Sequence, residues 1–460
     1  MNDRPRREDA RYVLYWAQMN RRVEANHALA YAVQLGNESG LPVLFYEGLT
    51  CSYPYANDRM HTFLLEAVPE TARRARKLGI GYCFYLRRRP SDPDDVLYTL
   101  AEDAAALVTD DYPTFVARQH NASVPGKIGI PYYVVDSSCV VPMTQLPKRE
   151  YGAYTIRPKI HRLLPRYLKP APSFKVERVY DAPALEIHTE VNGRNIAGLV
   201  ASCEIDHSVK PSSSHRGGRI EAEKRLAHFL EHNLRRYARE RNEPSAHATS
   251  ELSPYLHFGH ISSLEIALAA REYAAEHKLI ADEFLEELIV RRELAFNYAR
   301  HVHDPGSFET LPNWAIETLR KHAADPRNPL YTREQLEQAA THDRLWNATQ
   351  RELLLRGTVQ GYYRMYWGKK IIEWSATHLE ALQTMVYLHD RYALDGRDPN
   401  TYTNILWCFG LHDRPWRERP IFGMVRYMSF DGMQRKTNLD AYEREILDLA
   451  QTGRDPFHVQ

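Results

Sequence analysis

Cysteine is scarce and scattered: five in 460 residues, at positions 51, 83, 139, 203 and 408, with no CxxC pair. An odd number at that spacing excludes a disulfide framework and a structural zinc site, and fits a chain kept reduced inside the cell. Long apolar runs are missing as well; no stretch approaches the ~20 residues a membrane span requires, so no membrane partner is expected. Excess charge of one sign is absent, with 60 Lys plus Arg against 59 Asp plus Glu for a formal +1. Any surface for a polyanion must therefore be a local patch. Met1 to Arg11 is charged with no apolar segment behind it, so no secretory signal is expected. No His/Cys/carboxylate cluster has ligand spacing, so no metal is expected. What remains is a large packed core, since 43% of residues are apolar. The length suggests roughly two or three domains.

Over residues 1–145, short β-rich runs alternate with helical stretches. Tyr12–Trp16, Leu41–Tyr46, Gly81–Leu86, Ala106–Thr109 and Pro131–Val135 are the strand candidates. Apolar runs of this length, spaced by helices, predict an α/β domain: a parallel sheet with helices on both faces. No GxGxxG follows the first run, so the dinucleotide fingerprint is absent. Residues 146–216 carry Pro158, Pro165, Pro170, Pro172, Pro183 and Pro211-Ser212-Ser213-Ser214, the composition of a connector with at most short helices. From 217 to 460 the helical period dominates, over Arg219–Tyr237, Asp282–Arg300, Gln350–Trp374 and Leu379–Asp390. This predicts an all-α domain, and it holds six of the seven Trp.

Three constellations bear chemistry. In Ala248-Thr249-Ser250-Glu251-Leu252-Ser253-Pro254, three hydroxyls precede a proline suited to a first helical turn. Free N–H groups there would suit a phosphate or pyrophosphate, although on these residues alone an ordinary N-cap is the simpler reading. In Gly361 to Trp374, Trp367 and Trp374 are seven apart, hence on one helix face about 10 Å from each other, with Trp346 upstream. Such indoles relay electrons in some proteins and are a core stripe in most. Arg364 is a fixed cation with Asp395 as a candidate partner. Finally, Trp407 and Trp416 are interleaved with Arg414, Arg417, Arg419, Arg426, Arg435 and Lys436. Aromatics among cations hold extruded bases and flanking phosphates, and a solvated basic tail with two anchoring Trp explains the pattern equally well.

Taken in order, these motifs resemble the photolyase/cryptochrome family, and most closely its class II cyclobutane pyrimidine dimer (CPD) photolyases. The likeness runs over nearly the whole chain. It rests on Tyr15-Trp16, Glu150-Tyr151 through Lys159, Leu252-Ser253-Pro254-Tyr255-Leu256-His257-Phe258-Gly259 and Leu345-Trp346-Asn347-Ala348. Further on it rests on Arg364-Met365-Tyr366-Trp367-x-Lys369-Lys370-Ile371, Asp390-Arg391-Tyr392 to Asn400, and His412-Asp413-Arg414. The resemblance implies a Rossmann-like topology for the N-terminal α/β domain and FAD in the helical domain, with Tyr237, Thr249, Ser250, Leu252 and Ser253 at its phosphate and adenine portions. It places the Arg364–Asp395 pair against the flavin ring, where a cation favours the anionic reduced state. It implies Trp367 as the flavin-proximal relay member, with Trp346 and Trp374 further out, toward the surface. Glu287 matches the acid that hydrogen-bonds the dimer, kept protonated by burial. Arg241, Asn242, Met365, Trp407, Asp413, Arg414 and Trp416 match positions around the lesion and its DNA.

The implied activity is light-driven repair. FADH⁻ excited by blue or near-UV light passes an electron to a CPD flipped out of UV-damaged DNA, the dimer ring splits, and the electron returns. A monomer, cytoplasmic and nucleoid-associated, is the corresponding expectation. An antenna chromophore, 8-hydroxy-deazaflavin or a pterin, is implied only as an option of the N-terminal domain. Two positions depart from the pattern. Arg291 stands where some relatives have a dimer-contacting Trp, and Arg also stacks on bases. His389 stands where relatives have an Asn facing flavin N5; imidazole titrates near neutrality, so pH-dependent flavin redox behaviour is expected between pH 6 and 8. The rival reading is a cryptochrome-like photoreceptor without repair. A third, repair of (6-4) photoproducts, calls for an acid-base His, for which His257 and His260 are the candidates.

Overall fold

A computed structural model describes residues 1–455. Five parallel strands, β1 (Tyr12–Trp16), β2 (Val43–Thr50), β3 (Gly81–Arg87), β4 (Ala104–Asp110) and β5 (Tyr132–Val135), form one sheet in the order 3-2-1-4-5. β1 and β4, at the centre, are buried along their whole length, as a sheet covered on both faces requires. Helices His27–Ser39 and Asp58–Lys77 cover it, each opened by an Asn (Asn26, Asn57) whose side chain accepts a first-turn N–H. Strand order reverses between β1 and β4, the usual place for a ligand crevice. Here the Asp110 carboxylate fills that position by accepting the N–H groups of Gln18, Met19 and Asn20 at 2.8–3.0 Å.

The connector departs from its expected shortness of helix. Ala153–Tyr167 is a 15-residue helix despite Pro158 and Pro165. Proline removes one N–H and crowds one carbonyl, and here the loss is offset by Ile156 and Ile160, which are fully buried. In the helical half, the continuous helix expected over 350–374 is two: Arg344–Arg356 ends at Gly357, left-handed at φ 74°, and Gly361–Trp374 follows. The expected helices over 219–237 and 282–300 each contain a π-helical turn, Phe229–Asn233 and Glu286–Arg291. Such wide turns shift side-chain phase and recur at functional sites.

The two halves are pinned at the segment that will carry the site. Arg59, buried, donates to the carbonyls of Lys210, Leu353, Leu354 and Tyr392. Asn57 reaches the Arg391 carbonyl at 2.8 Å, Tyr112 donates to Asp398 at 2.6 Å, and Thr114 to the Arg397 carbonyl at 2.9 Å. Gly259 is left-handed at φ 66°, and a Cβ there would lie 2.2 Å from the Met19 carbonyl oxygen. Only glycine lets the 252–259 motif approach the β1 loop so closely. Among the described residues no helix is long and apolar enough to cross a membrane.

Candidate active site

Gln360 opens the helix Gly361–Trp374, its side chain accepting the N–H groups of Tyr362 and Tyr363 while donating to the Arg241 carbonyl. This helix presents Arg364, Met365, Trp367 and Lys369 to different neighbours. Arg364 Nη2 lies 3.0 and 3.2 Å from the Asp395 oxygens and 3.0 Å from the Val359 carbonyl, whereas its buried Nε meets no partner among the described residues. Burial pushes the Asp395 carboxyl up, and Arg364, the Ser253 hydroxyl and His389 together pull it below the ordinary range. Ser253 thus joins the hydroxyl-rich motif to the Arg–Asp pair. Gly396 lets this loop close, since a Cβ there would sit 2.5 Å from the His389 carbonyl.

His389 is fully enclosed beside the pair, its Nδ1 2.9 Å from the Met385 carbonyl and its ring edge-on to Trp367 at 5.0 Å. The expectation of a titration near neutrality fails here. Burial and the Arg364 cation lower its pKa to about 4, so the ring is neutral across pH 6–8.

The three indoles form a file in the order 367–346–374. Trp346 and Trp367 are parallel within 3° at 6.2 Å, and Trp346 meets Trp374 at 5.8 Å and 68°. Each inner indole N–H is committed, Trp367 to Gln350 Oε1 at 2.9 Å and Trp346 to the Trp367 carbonyl at 3.0 Å. The two-turn spacing of Trp367 and Trp374 is thereby bridged by a ring from another helix. The outward course toward the surface is not completed by indoles: Trp374 is 2% exposed.

Thr249 and Ser250 lie between His247 and Glu251, both left-handed at φ 48° and 53°. Two such non-glycine residues are costly and persist where surroundings hold them; Arg225 grips Glu251 at 2.5 Å and Asn233 the His247 carbonyl at 3.0 Å. Among the described residues, neither the Thr249 nor the Ser250 hydroxyl meets a protein partner. Leu252 is buried, and Ser253–His257 is a helix of a single turn. Tyr237 packs edge-on against Phe229 and Phe284. The hydroxyls of Thr249 and Ser250 and the orphaned Arg364 Nε are the groups a flavin dinucleotide would satisfy, so the residues fit FAD.

The residues expected around the lesion fall into two more exposed groups, one around Glu287 and one around Trp407 and Trp416. Glu287 stands on the π-turn Glu286–Arg291, and its Oε1 accepts from Arg241 Nη1 at 2.6 Å. The burial expected around Glu287 is not there: its side chain is 36% exposed and ion-paired. Asn242 is exposed, and Arg291 is half exposed with Nε 3.4 Å from Glu286. Met365 is half-buried on the site helix. Half-buried Trp407 lies between Lys369 Nζ at 4.8 Å and Arg426 at 5.6 Å. Exposed Trp416, three residues before the tight turn bridged by Arg419 and Gly423, has Arg426 at 4.7 Å and Arg414 at 5.1 Å. Asp413 faces the Trp416 indole N–H at 3.3 Å. Cations and rings thus alternate from Lys369 to Arg414, a geometry suited to bases and phosphates.

Sequence reasoning did not single out Gln350, which holds the Trp367 indole, Gln360, which caps the site helix and reaches the Arg241 carbonyl, or the buried Lys369, which donates to the Cys408 carbonyl beneath Trp407. His257 and His260 are structural. His257 Nδ1 lies 3.2 Å from Asp398, and His260 Nδ1 accepts the Gly218 N–H at 3.1 Å. A separate open groove of about 1510 Å³, lined by Phe115, Arg118, Phe308, Arg320 and Tyr402, contains none of the expected site residues.

This fold, with a buried Arg–Asp pair beside a file of indoles, is that of photolyases and cryptochromes. A class III photolyase from Agrobacterium tumefaciens superposes with a TM-score of 0.71 at 18% identity, covering 98% of this chain and 89% of its own. A cryptochrome from Synechocystis does so with a TM-score of 0.69 at 18% identity, covering 98% and 91%. The DNA photolyase family model matches residues 13–176. A deoxyribodipyrimidine photo-lyase of Methanothermobacter thermautotrophicus is 41% identical over 439 residues, 95% of each chain. The chain belongs to the DNA photolyase family.

Proposed function

We propose that the protein is a FAD-dependent deoxyribodipyrimidine photo-lyase that splits CPDs in DNA in the light. The observation that carries this reading is the pairing of two sites across one helix. Gly361–Trp374 bears Arg364 and Trp367 on the cofactor side and Met365 and Lys369 toward the face of Trp407. FAD, bound as the reduced anion, supplies light absorption and one electron that returns once the two ring C–C bonds of the dimer have broken, a redox-neutral cycle. Arg364 with Asp395 orients the ring and keeps a fixed cation beside it. Thr249, Ser250 and Ser253 hold the phosphates, and Tyr237 and Leu252 pack the adenine end. Neutral His389, edge-on to Trp367, would offer the ring system a hydrogen-bond acceptor, because its Nδ1–H is spent on the Met385 carbonyl.

On the open face Arg414, Arg426 and Arg291 meet DNA phosphates. Trp407 and Trp416 replace the stacking of the flipped dimer, with Met365 beneath it and Arg241, Asn242 and Asp413 at its edge. Flipping is inexpensive for a dimer that pairs poorly. Glu287 takes the dimer's carbonyl when Arg241 turns to the substrate, and desolvation by the bound lesion favours its protonated, donating form. The protein works as a monomer. The resemblance to class II enzymes and the file Trp367–Trp346–Trp374 support these indoles as the route that restores reduced flavin.

The test is an oligonucleotide carrying one thymine CPD, mixed with protein holding reduced flavin. Loss of dimer in blue light and not in darkness is expected. Flavin binding with dimers persisting in light would replace this reading with a photoreceptor.

A further inference from the structure

Helix Gly361–Trp374 crosses helix Pro399–Trp407 at Gly368, where a Cβ would lie 2.7 Å from Cys408 Sγ. Glycine permits that close approach, and the crossing seals in the next residue, Lys369, which is 0% exposed. An ammonium so enclosed is normally met by a carboxylate, yet among the described residues none lies within ion-pair distance of its Nζ. Two other things hold the charge. Nζ donates to the Cys408 carbonyl at 2.6 Å, at the C-cap of Pro399–Trp407, which is the negative end of that helix. It also sits 4.8 Å from the centre of the Trp407 ring. The neighbouring carbonyls of this turn are spent on backbone: Leu406 accepts from Phe409 and Leu411, and Trp407 from Gly410, at 2.9–3.0 Å. Lys369 therefore caps the helix and backs the ring with a single atom. The other cation near Trp407 is Arg426, at 5.6 Å, which Trp407 shares with Trp416.

Both contacts need the proton. A neutral amine donates more weakly to a carbonyl and has no charge to offer an aromatic face. We propose that Lys369 is a positioning residue for the lesion: its ammonium fixes the Trp407 indole, and binding of the dimer-bearing strand takes up a proton to complete that charge. This rests on the reading of Trp407 as a surface that replaces the stacking of the flipped dimer. Burial lowers the Lys369 pKa to about 8, while Cys408 and Asp413 raise it and Arg426 lowers it. The Cys408 thiol, itself pushed up to about 11 by burial, stays neutral where Lys369 titrates. On the same helix the adjacent cation, Lys370, is paired with Glu373 at 2.7 Å. In the free protein the ammonium is thus nearly complete at pH 7 and about half formed at pH 8. Phosphates laid along Arg414 and Arg426 add negative potential, which favours the charged form. The proton comes from solvent and goes to Nζ, so DNA binding and protonation of Lys369 strengthen each other by the same factor.

The experiment titrates the flavin-loaded protein, in darkness and at fixed salt, with an oligonucleotide carrying one thymine CPD and with its undamaged twin, from pH 6.5 to 9.5. Affinity for the damaged strand should be level below pH 7 and fall as the pH rises past about 8. Affinity for the twin, which has no flipped dimer to stack, should change far less. Calorimetry of damaged-strand binding at pH 8, in two buffers of different ionisation heat, should show net proton uptake. Lys369→Met is similar in length and uncharged. It should bind the damaged strand about tenfold more weakly at pH 7, the scale of a desolvated contact between a cation and a ring, and should lose both the slope and the uptake. A level profile without proton uptake in the unaltered protein would overturn the proposal, and so would an unchanged slope in folded Lys369→Met. Damaged and undamaged strands bound alike at every pH would instead remove the stacking role of Trp407, and the proposal with it.

Discussion

The two sides of helix Gly361–Trp374 are built on opposite principles. On one, Arg364, Asp395, His389 and the indoles are enclosed, and the Arg–Asp pair and both inner indole N–H groups have fixed partners. Away from that enclosure, Glu287 pairs with Arg241, each about a third exposed (36% and 31%), and half-buried Trp407 and exposed Trp416 share the Arg426 cation. Electron transfer and cofactor orientation gain from preorganised dipoles in a dry site. Recognition of a large polyanion needs charges that stay hydrated until the partner arrives, because burying them early would incur their desolvation cost. The difference teaches how one helix could serve both proposed tasks: its faces meet two different environments.

The sharpest way to break the comparison is to interrupt the enclosed side without touching the open one. Trp367→Phe should reduce photoreduction of oxidised flavin to near zero, measured by flavin absorbance under steady blue light, while repair by chemically reduced protein persists. Arg364→Met leaves Asp395 as an uncompensated buried charge, a change that costs about 3–5 kcal/mol. A matching loss in denaturant midpoint, with weaker flavin retention, is expected. On the open side, Glu287→Ala should lower dimer splitting per absorbed photon roughly 100-fold, the scale of a lost transition-state donor, with damaged-DNA affinity nearly kept. Trp407→Ala should do the reverse, weakening affinity by about 1–3 kcal/mol, as for one stacked base, seen in titrations at fixed salt. Equal effects of these two on binding and splitting would erase the division of labour within the open face.

The smallest effect concerns acid. Burial lowers the His389 pKa to about 4, well below the ordinary imidazole range. The folded state therefore binds fewer protons than the unfolded one between that value and the ordinary one. Stability contributed by neutral His389 is complete above the unfolded imidazole pKa of about 6.5 and falls as the pH drops toward the folded one. His61, His378 and His412 are lowered similarly, to about 4. His389→Asn should therefore only flatten part of the acid-induced loss, read from thermal midpoints between pH 7 and 4.5. Unchanged flavin redox behaviour from pH 6 to 8 is the companion outcome.

Much of this architecture is legible in the order of residues alone. Five apolar runs mark the strands to within a few residues, because a strand buried on both faces needs an unbroken apolar run. Arg364 and Asp395 stand out as partners for their fixed opposite charges. The π-turns at Phe229–Asn233 and Glu286–Arg291 are not legible, since one extra residue in a turn leaves the hydrophobic period nearly intact. Nor is the ion pair of Glu287 with Arg241, which replaces an expected burial, or the low pKa of His389, which depends on neighbours from other segments.

By itself the sequence determined the class of fold, and its motif order supplied the family resemblance from which the expectations for flavin, DNA and electron-path residues come. Hydrophobic period, proline placement and motif order are local properties, and local properties survive in one dimension. Only the tertiary structure decided that Trp346 stands between Trp367 and Trp374 and that Lys369 lies beneath Trp407. Those arrangements come from packing between segments far apart in the chain, where shape and desolvation select the neighbours.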